Sequence, residues 1–262
     1  MWHELQLFLI ALRAGTRLPL PDWAAARPDR RVLSRRHDPA VGLVVGAFAA
    51  GVLLAAGHAW PAGVAVLAAV AASAWFTRGR DEAGLARCCD AWAGGAGVRG
   101  PGGGAAPNGT NKSSASIGPI GQLGPIGATG LVLALALRAA AVYGLATRDL
   151  ALTLAVLPLA QAWPRVAALL AERWAGPGRD TGRDTGWVVG LMWAGVAASG
   201  ASWSLSPAQL VLSAAAAAAV AGVAAWTLRR RFGVLGEDAL AALRQGTEIA
   251  VCLALLAAVG RG

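Results

Sequence analysis

The stretch from Thr77 to Asp90, TRGRDEAGLARCCD, marks the point at which a long apolar run gives way to a polar segment. It contains Asp81, Glu82 and Asp90, three of only fourteen acidic residues in the chain. Mg²⁺ sites that handle phosphates use one or two carboxylates and leave the remaining positions to water and substrate oxygens. The stretch therefore indicates either such a metal site or the solvated first turn of a helix, where acidic side chains favour the helix dipole.

The composition around this stretch is that of a membrane protein. Hydrophobic residues make up 56% of the 262 residues and charged residues 14%, and the mean hydropathy is +0.54. These values exclude an ordinary soluble domain, and the apolar residues fall into runs of membrane-spanning length. We expect an all-α, polytopic helical membrane protein that forms a single integral membrane domain over residues 1–262.

About seven transmembrane helices are predicted, preceded by an N-terminal amphipathic helix over residues 1–16. Gly42, Gly46 and Gly51 are small residues of the first span and predict close helix packing in lipid. The last span is preceded by an amphipathic segment that starts at Glu237. The expected spans cover approximately residues 39–57, 62–76, 130–146, 150–170, 187–202, 207–228 and 247–259.

The arginines concentrate in the connections between spans, as expected for loops that stay beside anionic lipid in the cytoplasm. Strict alternation of the spans puts segments 13–36, 77–128, 171–186 and 229–246 on that side. Segment 77–128 is thus predicted as a cytoplasmic loop that carries the acidic stretch and a Gly-rich insertion. The net charge of +9 is explained by these loops, and no nucleic-acid partner is expected.

Two further patterns carry weaker information. The doubled sequence IGPIGQLGPIG (Ile117–Gly127) either brings backbone N–H groups close to a phosphate or simply turns the chain into the next helix. The three cysteines, Cys88, Cys89 and Cys252, form no CxxC pair, which argues against a zinc site or a disulfide framework.

Three ionisable residues lie within or at the ends of apolar runs: Arg138, Arg165 and Glu248. A charge at membrane depth is costly and is usually paired or functional. The alternative for the two arginines is that their long side chains reach the interface. The functional interpretation is that they line an internal polar cavity and face an anionic substrate.

Several short motifs follow one another in a distinctive order. TRLPLP (Thr16–Pro21) resembles an early TR-[IL]-P-[VL]-P signature, and PAVGLVVG (Pro39–Gly46) a P-L-V-G-x-x-x-G entry into a long helix. Thr77–Asp90 resembles T-G-G-x-H-x-D-G-L-A-D-T-x-D. Arg165 follows, and then a G-D-x-L-G-A-like segment with a later glutamate, carried here by Asp238, Leu240, Ala242 and Glu248. Together these motifs resemble the adenosylcobinamide-GDP ribazoletransferase (cobalamin synthase) family over nearly the whole chain.

The acidic motif departs from the family pattern. Gly84, Leu85, Ala86 and Asp90 are kept, but Asp81 replaces the family histidine. Two family aspartates are replaced by Ala83 and Arg87, and Arg87 inverts the charge within the expected metal site.

The family's next motif, M-K-D-S-x-x-G-x-x-G, is also incomplete. Its glycines can be matched by Gly124 and Gly127 or, with a shift, by Gly118 and Gly121, but no aspartate is present. Lys112, which is followed by two serines, is its best remnant.

The resemblance implies a Mg²⁺-dependent enzyme of the bacterial cytoplasmic (inner) membrane, with its active face in the cytoplasm. It would transfer α-ribazole or its 5′-phosphate onto adenosylcobinamide-GDP in a late step of cobalamin biosynthesis. GMP would leave, and adenosylcobalamin or its 5′-phosphate would form. The implied catalytic residues are Asp81, Glu82 and Asp90, with Glu82 and Asp90 as Mg²⁺ ligands, and the implied substrate-binding residues are Arg138, Arg165, Glu248 and Lys112. A homo-oligomer is left open.

Two other functions compete with this one. The missing acids are compatible with a catalytically degenerate synthase homologue or another non-catalytic membrane component. A CDP-alcohol phosphotransferase would also place acids at a cytoplasmic helix end, and Gly84–Arg87 weakly echoes its pattern. That family needs further aspartates at fixed intervals, whereas no acid follows Asp90 until Asp149.

Overall fold

The computed structural model describes residues 2–20, 28–93, 123–175, 186–233 and 235–260, and within these ranges the chain forms helices and turns but no strand. The all-α prediction is therefore confirmed. The helices are α1 (Trp2–Gly15), α2 (Pro28–Ser34), α3 (Asp38–Ala59), α4 (Ala62–Phe76), α5 (Arg80–Trp92), α6 (Pro125–Ala146), α7 (Leu150–Ala175), α8 (Gly186–Ala201), α9 (Pro207–Phe232) and α10 (Glu237–Val259).

The count of about seven spans is not confirmed. In the described part of the chain, five helices are long and apolar enough to cross a membrane: α3, α6, α7, α9 and α10. Helices α4 and α5 would add a sixth span only as a pair, and they are bent by 87°. Helix α8 has 16 residues, about 24 Å at 1.5 Å per residue, which is shorter than the ~30 Å hydrocarbon core. These apolar helices make the chain a multi-pass membrane protein, with five or six helices of spanning length among the described residues.

The described parts of the four basic segments meet at one end of the bundle, as strict alternation of the spans requires. The backbone N–H of Arg17 donates to the carbonyl of Phe76 at 2.9 Å. At the opposite end Arg148 donates to the carbonyl of Leu256 at 2.8 Å. Three further contacts join the basic segments: Arg80 with the Ala14 carbonyl, and Arg35 with both Glu172 and Glu237.

Helices α3 and α7 pack with their backbones close together. A Cβ atom at Gly42 or Gly46 would overlap the α7 backbone at Gln161 and Pro158 respectively, so the predicted close packing is confirmed at these two glycines. The same prediction is wrong for Gly51, which has no other atom within 4 Å of its Cβ position. This close approach places Gln161 inside the bundle, next to the N-terminal half of α3.

Helix α5 lies within the segment predicted as a loop. The chain turns after Thr77 through two residues with left-handed backbone, Arg78 and Gly79, each with φ of 63°. Helix α5 then packs against α6 and against the N-terminal half of α10, where Gly84 lies close to Ala241. The predicted amphipathic segment and seventh span form the single helix α10. Residues 94–122, with most of the Gly-rich insertion, lie outside the described ranges.

Candidate active site

A buried group of polar side chains lies where α4, α5, α6, α7 and α10 meet, and we call it the polar cluster. It surrounds a small cavity of about 10 Å³, roughly the space of one water-sized sphere. The apolar side chain of Val45, which is fully buried, also lines this cavity. The polar cluster consists of Ser73, Asp81, Glu82, Arg138, Gln161, Arg165, Arg244, Gln245 and Glu248.

Arg138 lies at the centre of the polar cluster and is only 2% exposed. Its Nε atom is 2.8 Å from Oε1 of Glu248, and its Nη1 atom is 3.8 Å from Oε1 of Glu82. Its Nη2 atom donates to Oγ of Ser73 at 3.0 Å. Arg138 thus lines an internal cavity, as predicted, whereas Arg165, for which the same prediction was made, is not among the residues that line it. Arg138 and Glu248 each partly compensate the buried charge of the other.

Arg165 is connected to Glu248 through an intervening amide. Its Nη1 atom donates to the carbonyl and to Oε1 of Gln161, at 2.6 and 2.8 Å. Gln161 in turn donates from Nε2 to Oε1 of Glu248 at 2.6 Å. Because a guanidinium only donates and a carboxylate only accepts, this chain fixes which end of the Gln161 amide faces each partner.

Asp81 lies between two arginines. Its Oδ1 atom is 3.1 Å from Nε of Arg244, and its Oδ2 atom is 3.6 Å from Nη2 of Arg165. The side chains of Asp81 and Arg244 are 17% and 19% exposed, against 8% for Arg165. Asp81 and Arg244 therefore form the accessible edge of the polar cluster.

Glu82 has incomplete hydrogen bonding, as have the Nε atoms of Arg138 and Arg244, which nevertheless lie 2.8 and 3.1 Å from carboxylate oxygens. Glu82 is 7% exposed, and its Oε1 atom accepts from Nε2 of Gln245 at 3.2 Å. Its Oε2 atom is buried and has no hydrogen-bond partner. A buried carboxylate oxygen left without a partner is costly, so a water or a ligand in the adjoining cavity has to supply the missing interaction.

Asp90 is not brought together with Glu82. Its two carboxylate oxygens accept from the backbone N–H groups of Gly124 and Gly127, at 2.8 and 2.6 Å. These N–H groups lie at the N-terminus of α6, where a carboxylate is electrostatically favoured. Eight residues separate Asp90 from Glu82 along α5, about 12 Å at 1.5 Å per residue. In the described part of the doubled Ile-Gly-Pro-Ile-Gly sequence, the chain enters a helix and Asp90 occupies its N–H groups.

Arg87 also points away from the cavity. Its Nε and Nη2 atoms both donate to Oδ1 of Asp238 on α10, at 3.0 and 2.7 Å. The inverted charge of the acidic motif is thus neutralised outside the polar cluster. Lys112, the remaining predicted substrate-binding residue, lies outside the described ranges.

The donor set of the polar cluster fits a Mg²⁺ ion. Asp81 and Glu82 both line the cavity, and Mg²⁺ characteristically takes one or two carboxylates together with water and phosphate oxygens. Within the described ranges, no group of three or more His, Cys, Asp or Glu side chains is placed to hold a metal, so these residues form no closed protein cage.

The charges around the cavity are balanced in number. Asp38, at the start of α3, interacts electrostatically with Arg35, Arg165, Arg244 and Asp81. With Asp81, Glu82 and Glu248 it makes four acids, against Arg35 and the three arginines of the polar cluster. The count of charges therefore does not by itself call for a cation.

The sequence pattern did not single out Ser73, Arg244, Gln245 or Asp38. A signal existed for two of them, because Gln245 and Glu248 are spaced i, i+3 and Arg244 and Glu248 are spaced i, i+4 on a helix. This spacing makes a polar face just before α10 becomes apolar. Nothing in the sequence distinguishes Ser73 or Asp38 from ordinary residues at helix ends.

Comparison with known proteins identifies the family. The family model described as cobalamin-5-phosphate synthase matches residues 7–100 and 120–256. A protein of Leptothrix cholodnii named adenosylcobinamide-GDP ribazoletransferase is 36% identical over 98% of this chain and 97% of its own length. A Shewanella baltica protein with the same name is 40% identical over 36% of each chain. No solved structure matches the chain significantly. The chain belongs to the cobalamin-5-phosphate synthase family.

Proposed function

We propose that this protein joins α-ribazole, or its 5′-phosphate, to adenosylcobinamide-GDP with release of GMP. The product is adenosylcobalamin or its 5′-phosphate. The observation that carries this proposal is the match to one family and to a ribazoletransferase over nearly the full length of the chain. The multi-pass helical fold and the buried polar cluster support it, because a phosphate-containing substrate needs compensating charges inside an apolar bundle.

Asp81 and Glu82 are the proposed Mg²⁺ ligands. Both line the cavity, and Oε2 of Glu82 has no protein partner. A bound Mg²⁺ would neutralise phosphate charge and polarise the phosphoryl group. Asp90 is proposed to act on the site indirectly, because its contacts with Gly124 and Gly127 fix α5 against α6.

Arg165 and Arg244 are the proposed binding residues for the substrate phosphates. Both guanidinium groups approach Asp81 at the accessible edge of the polar cluster. Arg138 and Glu248 are proposed to keep the cavity polar and charge-balanced, since they lie deeper and contact each other. Asp81 also remains the candidate to accept the proton of the attacking ribazole hydroxyl, being the most exposed of the three cavity carboxylates.

The alternative of a catalytically degenerate homologue is not favoured. It rested on Ala83 and Arg87, which replace two family aspartates, and on the aspartate that is missing from the family's next motif. Arg87 is neutralised by Asp238 and does not enter the cavity, and Asp81 and Glu82 still offer two carboxylates there.

The proposed location is the bacterial cytoplasmic membrane, with the polar cluster opening toward the cytoplasm. The basic segments share one end of the bundle, and basic loops are retained in the cytoplasm. Asp81 lies in the first turn after α4 reaches that end, so substrates would enter from the cytoplasmic side.

The proposal is tested with purified protein in detergent or nanodiscs. Adenosylcobinamide-GDP and α-ribazole 5′-phosphate are supplied with Mg²⁺ or with EDTA, and GMP and the cobalamin product are measured. We expect Mg²⁺-dependent formation of both products by the wild type and strong loss in Glu82→Gln. Absence of product from well-folded wild-type protein, while the Leptothrix cholodnii relative works in parallel, would refute the proposed function.

A further inference from the structure

The two glutamates of the cavity are each held by a neutral amide from a neighbouring helix. Nε2 of Gln245 donates to Oε1 of Glu82 at 3.2 Å, and Nε2 of Gln161 donates to Oε1 of Glu248 at 2.6 Å. Both glutamines are buried, at 4% and 5% exposed, and both line the cavity. The two glutamates differ in their distance from a guanidinium group. Glu248 is 2.8 Å from Arg138, whereas Arg138 is 3.8 Å from Glu82.

A neutral amide has a different effect on a carboxylate from that of an arginine or lysine. It restricts the orientation of the carboxylate through a hydrogen bond, yet it leaves the negative charge uncancelled. In the polar cluster the amide of Gln245 binds Oε1 of Glu82 and leaves Oε2 buried beside the cavity without a partner. An arginine or lysine at position 245 would hold the same oxygen but would also place a positive charge next to the carboxylate that is to bind a cation.

We propose that Gln245 is a positioning residue that orients Glu82, so that Oε2 is presented to a divalent cation and the charge of the carboxylate stays available to it. This inference rests on the proposed function, in which Glu82 is a Mg²⁺ ligand. Removing a residue that hydrogen-bonds to a metal ligand characteristically changes metal affinity or activity by about 10–100-fold. Gln245 donates such a hydrogen bond to Glu82.

The direct test is Mn²⁺ binding to purified full-length protein, measured by electron paramagnetic resonance of free Mn²⁺ without any substrate. Gln245→Met keeps the side-chain volume but removes the amide, and we expect it to raise the Mn²⁺ dissociation constant by about 10–100-fold. Gln245→Lys places a cation beside Glu82, and we expect it to abolish binding over the same range. Gln245→Asn retracts the amide by one methylene and provides a second, milder variant in case the others fold poorly.

Two controls separate positioning from a general loss of structure. Gln209→Met changes the same residue type at the N-terminal cap of α9, at the opposite end of the bundle, and should leave Mn²⁺ affinity unchanged. In the transferase assay, Gln245→Met should raise the Mg²⁺ concentration for half-maximal rate. At saturating Mg²⁺, its KM for adenosylcobinamide-GDP should stay within about twofold of the wild-type value.

Each outcome decides the inference. Wild-type Mn²⁺ affinity in a folded Gln245→Met protein overturns it, as does a raised KM with unchanged metal affinity, which would make Gln245 a substrate-binding residue. A wild type that binds no Mn²⁺ overturns both this inference and the proposed metal ligands, while transferase activity in EDTA would still uphold the function. Weakened Mn²⁺ binding in Gln245→Met supports the inference even if the wild type shows no transferase activity, in which case only the proposed function fails.

Discussion

Helix α5 presents charged residues on two faces that behave differently. The cavity face carries Asp81 and Glu82, which line the cavity of the polar cluster. The packing face carries Arg87 and Asp90, which contact α10 and α6. All four residues belong to one short motif, so the difference between them arises from what each face meets in the folded protein.

The two faces differ in how completely their hydrogen-bonding groups are used. On the packing face, both oxygens of Asp90 accept backbone N–H groups, and two nitrogens of Arg87 donate to Asp238. On the cavity face, Oε2 of Glu82 has no partner. A ligand can bind Oε2 of Glu82 without breaking a contact, whereas binding to Asp90 or Arg87 would cost existing hydrogen bonds. The unpaired oxygen of Glu82 therefore marks the candidate site, beside the ion-paired Asp81.

The largest effect should come from the cavity face. Glu82→Gln keeps the shape of the side chain but removes the charge offered to the metal. We expect transferase activity to fall by about 10²–10³-fold, the range seen when one preorganised electrostatic group is removed, while the melting temperature in detergent stays near that of the wild type. Activity within a factor of three of the wild type would show that the cavity face is not the active site.

Crowding the packing face should destabilise the protein. A Cβ atom at Gly127 would overlap the Asp90 carboxylate and the carbonyl of Ala86. Gly127→Ala should therefore cost about 1–3 kcal/mol of stability, as overpacked sites do, and lower the melting temperature. The matched control is Gly195→Ala on α8, where nothing lies within 4 Å and no loss is expected. Equal melting temperatures for the two variants would contradict the close packing of α5 and α6.

Removing the contact between α5 and the N-terminus of α6 should have a smaller effect. Asp90→Ala leaves the N–H groups of Gly124 and Gly127 without their acceptor, which we expect to cost about 0.5–2 kcal/mol, as loss of a helix cap does. Asp90→Asn retains an acceptor oxygen and should lose less. The remaining activity should need the same Mg²⁺ concentration for half-maximal rate as the wild type. A higher Mg²⁺ concentration would instead make Asp90 a metal ligand, as the family resemblance implied.

The smallest effect is expected at Arg87. Arg87 forms an ion pair with Asp238, and both side chains are more than a third exposed, Arg87 at 35% and Asp238 at 38%. Exposed pairs contribute about 0–1 kcal/mol, so Arg87→Met should change both the melting temperature and the transferase activity little. A rise of tenfold or more in activity would mean that the arginine does impair the site, and the reasoning from its geometry would then be wrong.

The sequence determined the elements whose causes are local. Apolar runs bounded by proline and arginine set the helices, and α4 occupies Ala62–Phe76, the range predicted for the second span. The family motifs indicated Asp81 and Glu82 as site residues. The positions of Arg138, Arg165 and Glu248 within apolar runs indicated these three residues as well. These residues all gather in the polar cluster, because a buried charge in an apolar bundle must find a partner.

The tertiary structure decided which groups meet. The sequence shows that Asp90 and Gly124 lie 34 residues apart, but only the packing of α5 on α6 brings a carboxylate to that helix end. Similarly, the 87° bend between α4 and α5 decides that they do not continue as one straight span. Helix periodicity describes the faces of one helix at a time, whereas the partner of each face depends on contacts between residues far apart in the chain. The roles of Asp90 and Arg87, and the contact of Gln245 with Glu82, are therefore visible only in the folded protein.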